Sequence, residues 1–175
     1  MKKSANDISN ILVDVRNGDR EAFEELYNSL KKPLFTLILR ITHDVGFSED
    51  ILQELFLKIY VSPPEFTRNP RAYIFQMARN LAIDSIRKLK PEVELEEATE
   101  QIHHPSPDIL QRLDIENALG LLSGRDRQII TLRINAELTF REIADILDIP
   151  LGTALWAYRQ ALKQLRNILE EENLK

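Results

Sequence analysis

Cysteine is absent from all 175 residues, which excludes disulfides, thiolate nucleophiles and cysteine-ligated metal. Glycine is nearly as scarce, with five residues, and none sits in a phosphate-binding loop. No stretch approaches the roughly eighteen consecutive apolar residues that a membrane-spanning helix needs. Lys2 and Lys3 are followed by polar residues rather than an apolar core, so no secretory signal is expected and a cytoplasmic location is. Sustained two-residue alternation is missing as well, and the fold class expected is all-α. His43, His103 and His104 lack ligand-like spacing to carboxylates. No catalytic residue, metal or cofactor is therefore expected, and an enzyme is the weakest of the functional readings.

Charge is plentiful but uneven. The net charge of −5 argues against a nonspecific DNA coat, yet residues 1–90 carry 14 basic and 12 acidic side chains, residues 91–110 none and 6, and residues 111–175 9 and 10. The acidic middle also holds Pro91, Pro105 and Pro107 and little apolar periodicity. It reads as a flexible acidic linker over residues 89–110, dividing two small helical domains at 1–88 and 111–175. The linker has two readings, a solvated tether or a nucleic-acid mimic lying in a basic channel of a partner.

In chain order, a first helix is expected over Ile8–Asn17, stopped by Gly18. A second starts behind Asp19 with Ala22, Phe23, Leu26, Tyr27 and Leu30 inward. Pro33 opens a third, with Leu34, Leu37, Ile38 and Ile41 on its apolar side, and a turn follows over Thr42–Phe47 around Gly46. Ser48 then begins a capping-box-like start, SEDILQELFLKIY, with Glu49 and Asp50 where a helix dipole favours them. Ile51, Leu55 and Ile59 face inward beside Leu52 and Phe56, leaving Asp50, Gln53, Glu54, Leu57 and Lys58 outside. That outer side fits a plain surface helix or a polar-rimmed docking face. Ser62–Glu65 reads as a loop.

The organising stretch is NPRAYIFQMARNLAIDSIRK, residues 69–88. Asn69 suits the N-cap and Pro70 the first helical position. Ile74, Met77, Ala78, Leu81, Ala82 and Ile86 form a core stripe, while Tyr73, Gln76, Asn80, Asp84 and Arg87 share another side. Spacing alone allows a solvated bundle face. It equally allows an aromatic and amide row that stacks on or hydrogen-bonds bases, with Arg71, Arg79, Arg87 and Lys88 near phosphates.

Beyond the linker, helices are expected over Ile109–Leu122 and from a Ser123 cap, the second with Ile129, Ile130, Leu132 and Ile134. LTFREIADILDIPLGTALWAYRQALKQLRNILEEE then has a helix-turn-helix outline. Thr139 and Glu142 make a capping box, Ala144 allows close crossing, and a turn over Asp148–Pro150 leads into a longer helix from about Leu151. Ile143, Leu147, Ile149, Ala154, Tyr158, Leu162 and Leu165 are the expected core. A plain helix hairpin and a DNA-binding unit both fit this outline.

Together, GDREAFEELY, SEDILQELFLKIY, PRAYIFQMARNLAIDSIRK, LSGRDRQIITLR and LTFREIADILDIPLGT resemble, in order, the two conserved domains of a bacterial extracytoplasmic-function (ECF) sigma factor, a promoter-specificity subunit of RNA polymerase. The resemblance covers residues from about Gly18 to Lys88 and Leu119 to Arg166. It implies a sigma region 2 bundle and a sigma region 4 helix-turn-helix. It places Asp50, Gln53, Glu54 and Phe56 on the motif that docks on the clamp helices of the largest polymerase subunits. Tyr73, Arg79, Asn80, Asp84 and Arg87, with the loop before Pro70, fall on the segment that opens the promoter and holds an extruded base; Asp84 has the alternative role of only orienting Arg87. Core polymerase and promoter DNA are the implied partners, and an anti-sigma protein and a second copy of the chain are the candidates for a further one.

One departure stands out. After Gly152-Thr153 the family continues with a hydrophobic residue, then Lys, Ser and Arg, and a second Arg three positions on. Here those positions hold Ala154, Leu155, Trp156, Ala157 and Gln160, leaving Thr153, Arg159, Gln160 and Lys163 to contact DNA. Three explanations remain: an unusual sequence read with Trp156 against a thymine methyl or sugar edge, a partner covering Leu155 and Trp156, or weakened upstream recognition. The rival to a working sigma factor is a regulator of the same outline that binds DNA or protein without supporting initiation. Asp148, in place of the usual turn glycine, is a smaller departure because Asp tolerates left-handed backbone.

Overall fold

The computed structural model describes residues 5–64, 69–89 and 110–172, with side chains described over 8–64, 69–89 and 115–170. Among these residues there are eight helices and no strand: α1 Ala5–Arg16, α2 Arg20–Thr42, α3 Val45–Val61, α4 Pro70–Leu89, α5 Leu110–Gly120, α6 Gly124–Ile134, α7 Phe140–Leu147 and α8 Leu151–Glu172. The chain divides into two compact units after Leu89. The segment read as a linker lies almost wholly outside the described residues, as do His103, His104 and residues 65–68 of the loop before Pro70. None of the described helices is long and apolar enough to cross a membrane.

In the first unit α2 packs against α1, α3 and α4, and α4 also meets α1 and α3. Asp19 caps α2, accepting from the Glu21 and Ala22 N–H groups at 2.8 and 3.1 Å. Pro33 does not open a new helix; α2 runs through it for 23 residues. An internal proline costs about 3 kcal/mol. Leu26, Leu30, Leu34, Leu37, Ile38 and Ile41 are all fully buried on one side of the continuous helix. Burying each is worth roughly 1.5–3 kcal/mol, so keeping both halves in one register outweighs the proline.

The start of α3 also differs from expectation. Asp44 is the cap, accepting from the Phe47 N–H at 2.7 Å, and the helix begins at Val45 with Gly46 inside it. Only His43 and Asp44 make the turn, with His43 left-handed at φ 58°. Ser48 is a buried helix residue whose hydroxyl bonds the Asp44 carbonyl and lies 2.6 Å from Thr42 Oγ1. A serine with a backbone carbonyl four residues back has a partner inside a helix, which removes its need to sit at a cap.

In the second unit α8 packs on α5, α6 and α7, and α6 on α7. Leu119, Leu122, Ile130 and Ala161 form a buried cluster edged by Tyr158 and Leu165. Ala154, Ala157 and Ala161 line the inward side of α8, so its backbone approaches its neighbours closely. Leu162, expected in the core, is exposed, as is Ile134.

Candidate nucleic-acid and docking surfaces

Helix α4 is set by its cap: the Ala72 N–H donates to Asn69 Oδ1 at 3.1 Å, and Pro70 follows where no N–H is needed. Ile74, Phe75, Ala78, Ala82 and Ile83 are buried, which rotates the opposite side to solvent. Tyr73, Asn80, Asp84 and Arg87 are exposed there, with Gln76 half-buried. At about 100° per residue these five fall within roughly 80° of one another, along some 21 Å of helix. Tyr73 is 40% exposed, enough ring face for stacking. Arg87 lies 3.8 Å from Asp84 in an exposed pair, so it is tethered weakly. Lys88 is exposed beside it. Arg71 and Arg79 are half-buried and off the row. Burial lowers the Arg79 guanidinium from its ordinary value while leaving it charged at neutral pH.

On α3, Asp50, Gln53 and Glu54 share the solvent side with Leu57, Tyr60 and Val61, and Glu54 holds Lys58 at 2.9 Å. Phe56 does not share it. Its side chain is only 4% exposed, packed 4.6 Å from the Tyr27 ring and 6.3 Å from Phe23. Sequence spacing had placed it beside Leu52 and the apolar row, and the structure follows that placement; a docking role for Phe56 would run through the position it gives its neighbours. Arg16 donates to the Pro64 carbonyl at 2.6 Å, tying the end of α1 to the segment after α3.

In the second unit the corners are fixed by caps and one buried cation. Ser123 accepts from the Asp126 N–H at 3.2 Å, and Thr139 with Glu142 closes a reciprocal capping box. Asp148 is left-handed at φ 53°, its N–H reaching the Ala144 and Asp145 carbonyls. Arg127, 2% exposed, donates from Nε to the Leu119 carbonyl at 2.9 Å and from Nη2 to the Gly120 and Leu122 carbonyls at 2.8 and 3.0 Å. It satisfies the open carbonyl end of α5, where a cation also complements the helix dipole. Sequence reading passed over Arg127; its spacing from buried Ile130 and Thr131 on α6 was the available signal. Arg133, bonded to the Leu138 carbonyl at 2.9 Å, covers the Phe140 ring, which packs edge-on to Tyr158.

These corners set what α8 presents. Gly152, Trp156, Arg159, Gln160 and Lys163 are exposed, and Thr153 and Leu155 are half-buried. Ala157 is turned inward at 4% exposure, so of the three positions where the resembled family carries cations, only 155 and 160 face outward to any extent here. Arg166 is bonded to Glu170 at 2.7 Å, which raises its pKa. Among the described residues no cluster of His, Asp and Glu is placed to hold a metal ion.

The chain matches the Sigma-70 region 2 family over residues 26–92 and the Sigma-70 region 4 family over residues 118–167. The ECF RNA polymerase sigma factor SigW of Bacillus subtilis is 32% identical over 176 residues, spanning 88% of this chain and 94% of that protein. SigK of Mycobacterium tuberculosis, an ECF RNA polymerase sigma factor, is 27% identical over 95% of both chains. Among solved structures, the sigma factor RpoE in complex with the anti-sigma factor NepR from Bartonella quintana has a TM-score of 0.67 at 22% identity, covering 85% of this chain and 96% of that one. CnrH in complex with the cytosolic domain of CnrY also scores 0.67, at 18% identity, covering 96% and 99%. These two likenesses are of fold.

Proposed function

The chain belongs to the ECF sigma factors of RNA polymerase, and from that premise we infer how its surfaces divide the work of a promoter-specificity subunit that directs transcription initiation. Residues 1–88 form the domain that grips core polymerase and opens the promoter, 89–110 the tether, and 111–175 the domain that binds upstream duplex. Asp50, Gln53 and Glu54 meet the clamp helices of the largest subunits, held in place by Phe56 beneath them. Tyr73 and Asn80 receive an unpaired base while Arg71, Arg79, Arg87 and Lys88 attract the opened strand's phosphates. Thr153, Trp156 and Gln160 enter the upstream major groove, with Arg159 and Lys163 at its phosphates.

The physical logic is that melting removes base stacking, and an aromatic ring with amide partners outside the duplex offsets that loss. No catalytic group is required, because bond formation belongs to the polymerase; the chain is not an enzyme. The cytoplasm, where polymerase and chromosome meet, is the working location. An anti-sigma protein is the expected regulator.

The observation that carries this reading is the exposed Tyr73–Asn80–Arg87 row on a helix whose other side is fully committed to the core. Reconstitution with core polymerase and genomic DNA, followed by mapping of transcript starts, tests it. Selective starts that disappear when Tyr73 and Asn80 are both replaced by alanine are expected. Folded protein that yields no selective start would reject the reading.

A further inference from the structure

Resting on the reading that α8 docks in duplex DNA, we propose that Trp156 and Gln160 make its readout specific for thymine·adenine pairs, Trp156 against a thymine methyl and Gln160 against an adenine one or two steps away. No guanine contact is needed along this row.

Trp156 is 63% exposed, and it is the chain's single tryptophan. It has no inward alternative: the inner side of α8 is filled by Ala154, Ala157 and Ala161 in close contact with the other helices. Gly152, Trp156 and Gln160 occupy one row at steps of four, so Trp156 and Gln160 are one helical turn, about 5.4 Å, apart. Against a rise of about 3.4 Å per base pair, their tips fall on neighbouring pairs.

The chemistry of that row decides the base. Guanine is read by a cation forking to O6 and N7, and none of Gly152, Trp156 and Gln160 is one. Thymine alone presents an apolar group in the major groove, its C5 methyl, and a flat indole surface left in water suits it. The glutamine amide, donor and acceptor together, matches adenine N6 and N7. Arg159 lies about 60° round the helix from Trp156, and Lys163 on the same side as Trp156 but about 10 Å further along α8, so that both supply charge for phosphates without specifying sequence.

Holoenzyme assembled from the full chain and core polymerase tests this. Upstream elements selected from randomised duplex at fixed salt are remade with uracil for thymine, which removes only the methyl, and with 7-deazaadenine for adenine, which removes only N7. The expected result is that each change weakens promoter binding at one position by at least about fivefold. Trp156→Ala abolishes the uracil effect, Trp156→Phe keeps part of it, and Gln160→Ala abolishes the 7-deazaadenine effect. Selective initiation that is indifferent to both substitutions, or selected elements that require guanine opposite α8, would overturn the proposal while leaving the sigma-factor reading intact. The proposal also fails if Trp156→Ala leaves initiation unchanged but releases a protein bound to this face. Absence of any selective initiation removes both readings together.

Discussion

The two units bury different kinds of side chain. In the first, Leu26, Leu34, Leu37, Ile59, Ile74 and Phe75 are sealed from water, and among described residues Ser48 is its one buried polar side chain. In the second, Ile129, Leu132 and Ile143 are sealed as tightly, but alanines line the inner side of α8 and Arg127, Gln128 and Thr131 are buried as well. A bundle of longer helices covers its apolar stripes by area alone, which leaves the outer sides of α3 and α4 free to carry polar groups. Short helices meeting at corners expose open carbonyl ends that need donors, and Arg127 supplies two bonds to one such end and a third to the turn after it. The first core therefore stabilises by volume, and the second also by direction, which sets where α8 points.

The contrast can be broken most sharply at Phe75. Phe75→Ala should destabilise the first unit by about 3–5 kcal/mol through the cavity it leaves. Amide exchange within 69–89 should accelerate while that within 124–134 keeps its protection; equal acceleration in both would show that the cores are not separate. Arg127→Met should cost the second unit about 2–4 kcal/mol, because the α5 carbonyls lose their donors while the stem volume is kept. Arg127→Lys should recover less than half of that in urea denaturation, since an ammonium cannot fork. Methionine as stable as the parent would mean that the polar brace is dispensable.

Smaller effects sharpen the picture. The double change Gln53→Ala with Glu54→Ala, on an exposed face, should weaken binding to core polymerase by about tenfold, or ~1.4 kcal/mol, with unfolding unchanged in a parallel melt. Gly152→Ala should raise the second unit's stability by roughly 0.4–1 kcal/mol, since the added methyl meets nothing within 4 Å and alanine reduces the conformational freedom of the unfolded chain. A fall in stability instead would reveal a constraint at the start of α8. The least effect is expected for Asp84→Ala, within about 0.5 kcal/mol in thermal unfolding, because its pair with Arg87 is solvent-exposed.

Much of the fold was legible because capping is local. Asp19, Asn69, Ser123 and Thr139 each bond amides two or three residues ahead, so residue type and spacing are sufficient to place them. The all-α class and the outer row of α4 followed from periodicity in the same way, but the core stripe of α4 only in part: Ile74, Ala78 and Ala82 are buried as expected, Met77, Leu81 and Ile86 are half-buried, and Phe75 and Ile83, not expected there, are buried. Reading failed where a residue's local preference was outweighed by another partner, near or far. Pro33 looked like a helix start until the burial of residues on both sides of it was counted, and Ser48 looked like a cap until its hydroxyl found the Asp44 carbonyl.

By itself, then, the order of residues determined the helix starts that a side-chain cap marks at Asp19, Asn69, Ser123 and Thr139, and that two sigma-type units occur in one chain, since each depends on residues within a few positions or on motif order. Tertiary structure alone decided that Phe56 lies under Tyr27, that Arg127 closes the end of α5, and that Ala157 faces inward. Which neighbour covers a side chain is a property of what other helices bring to the same place, and no local pattern contains it.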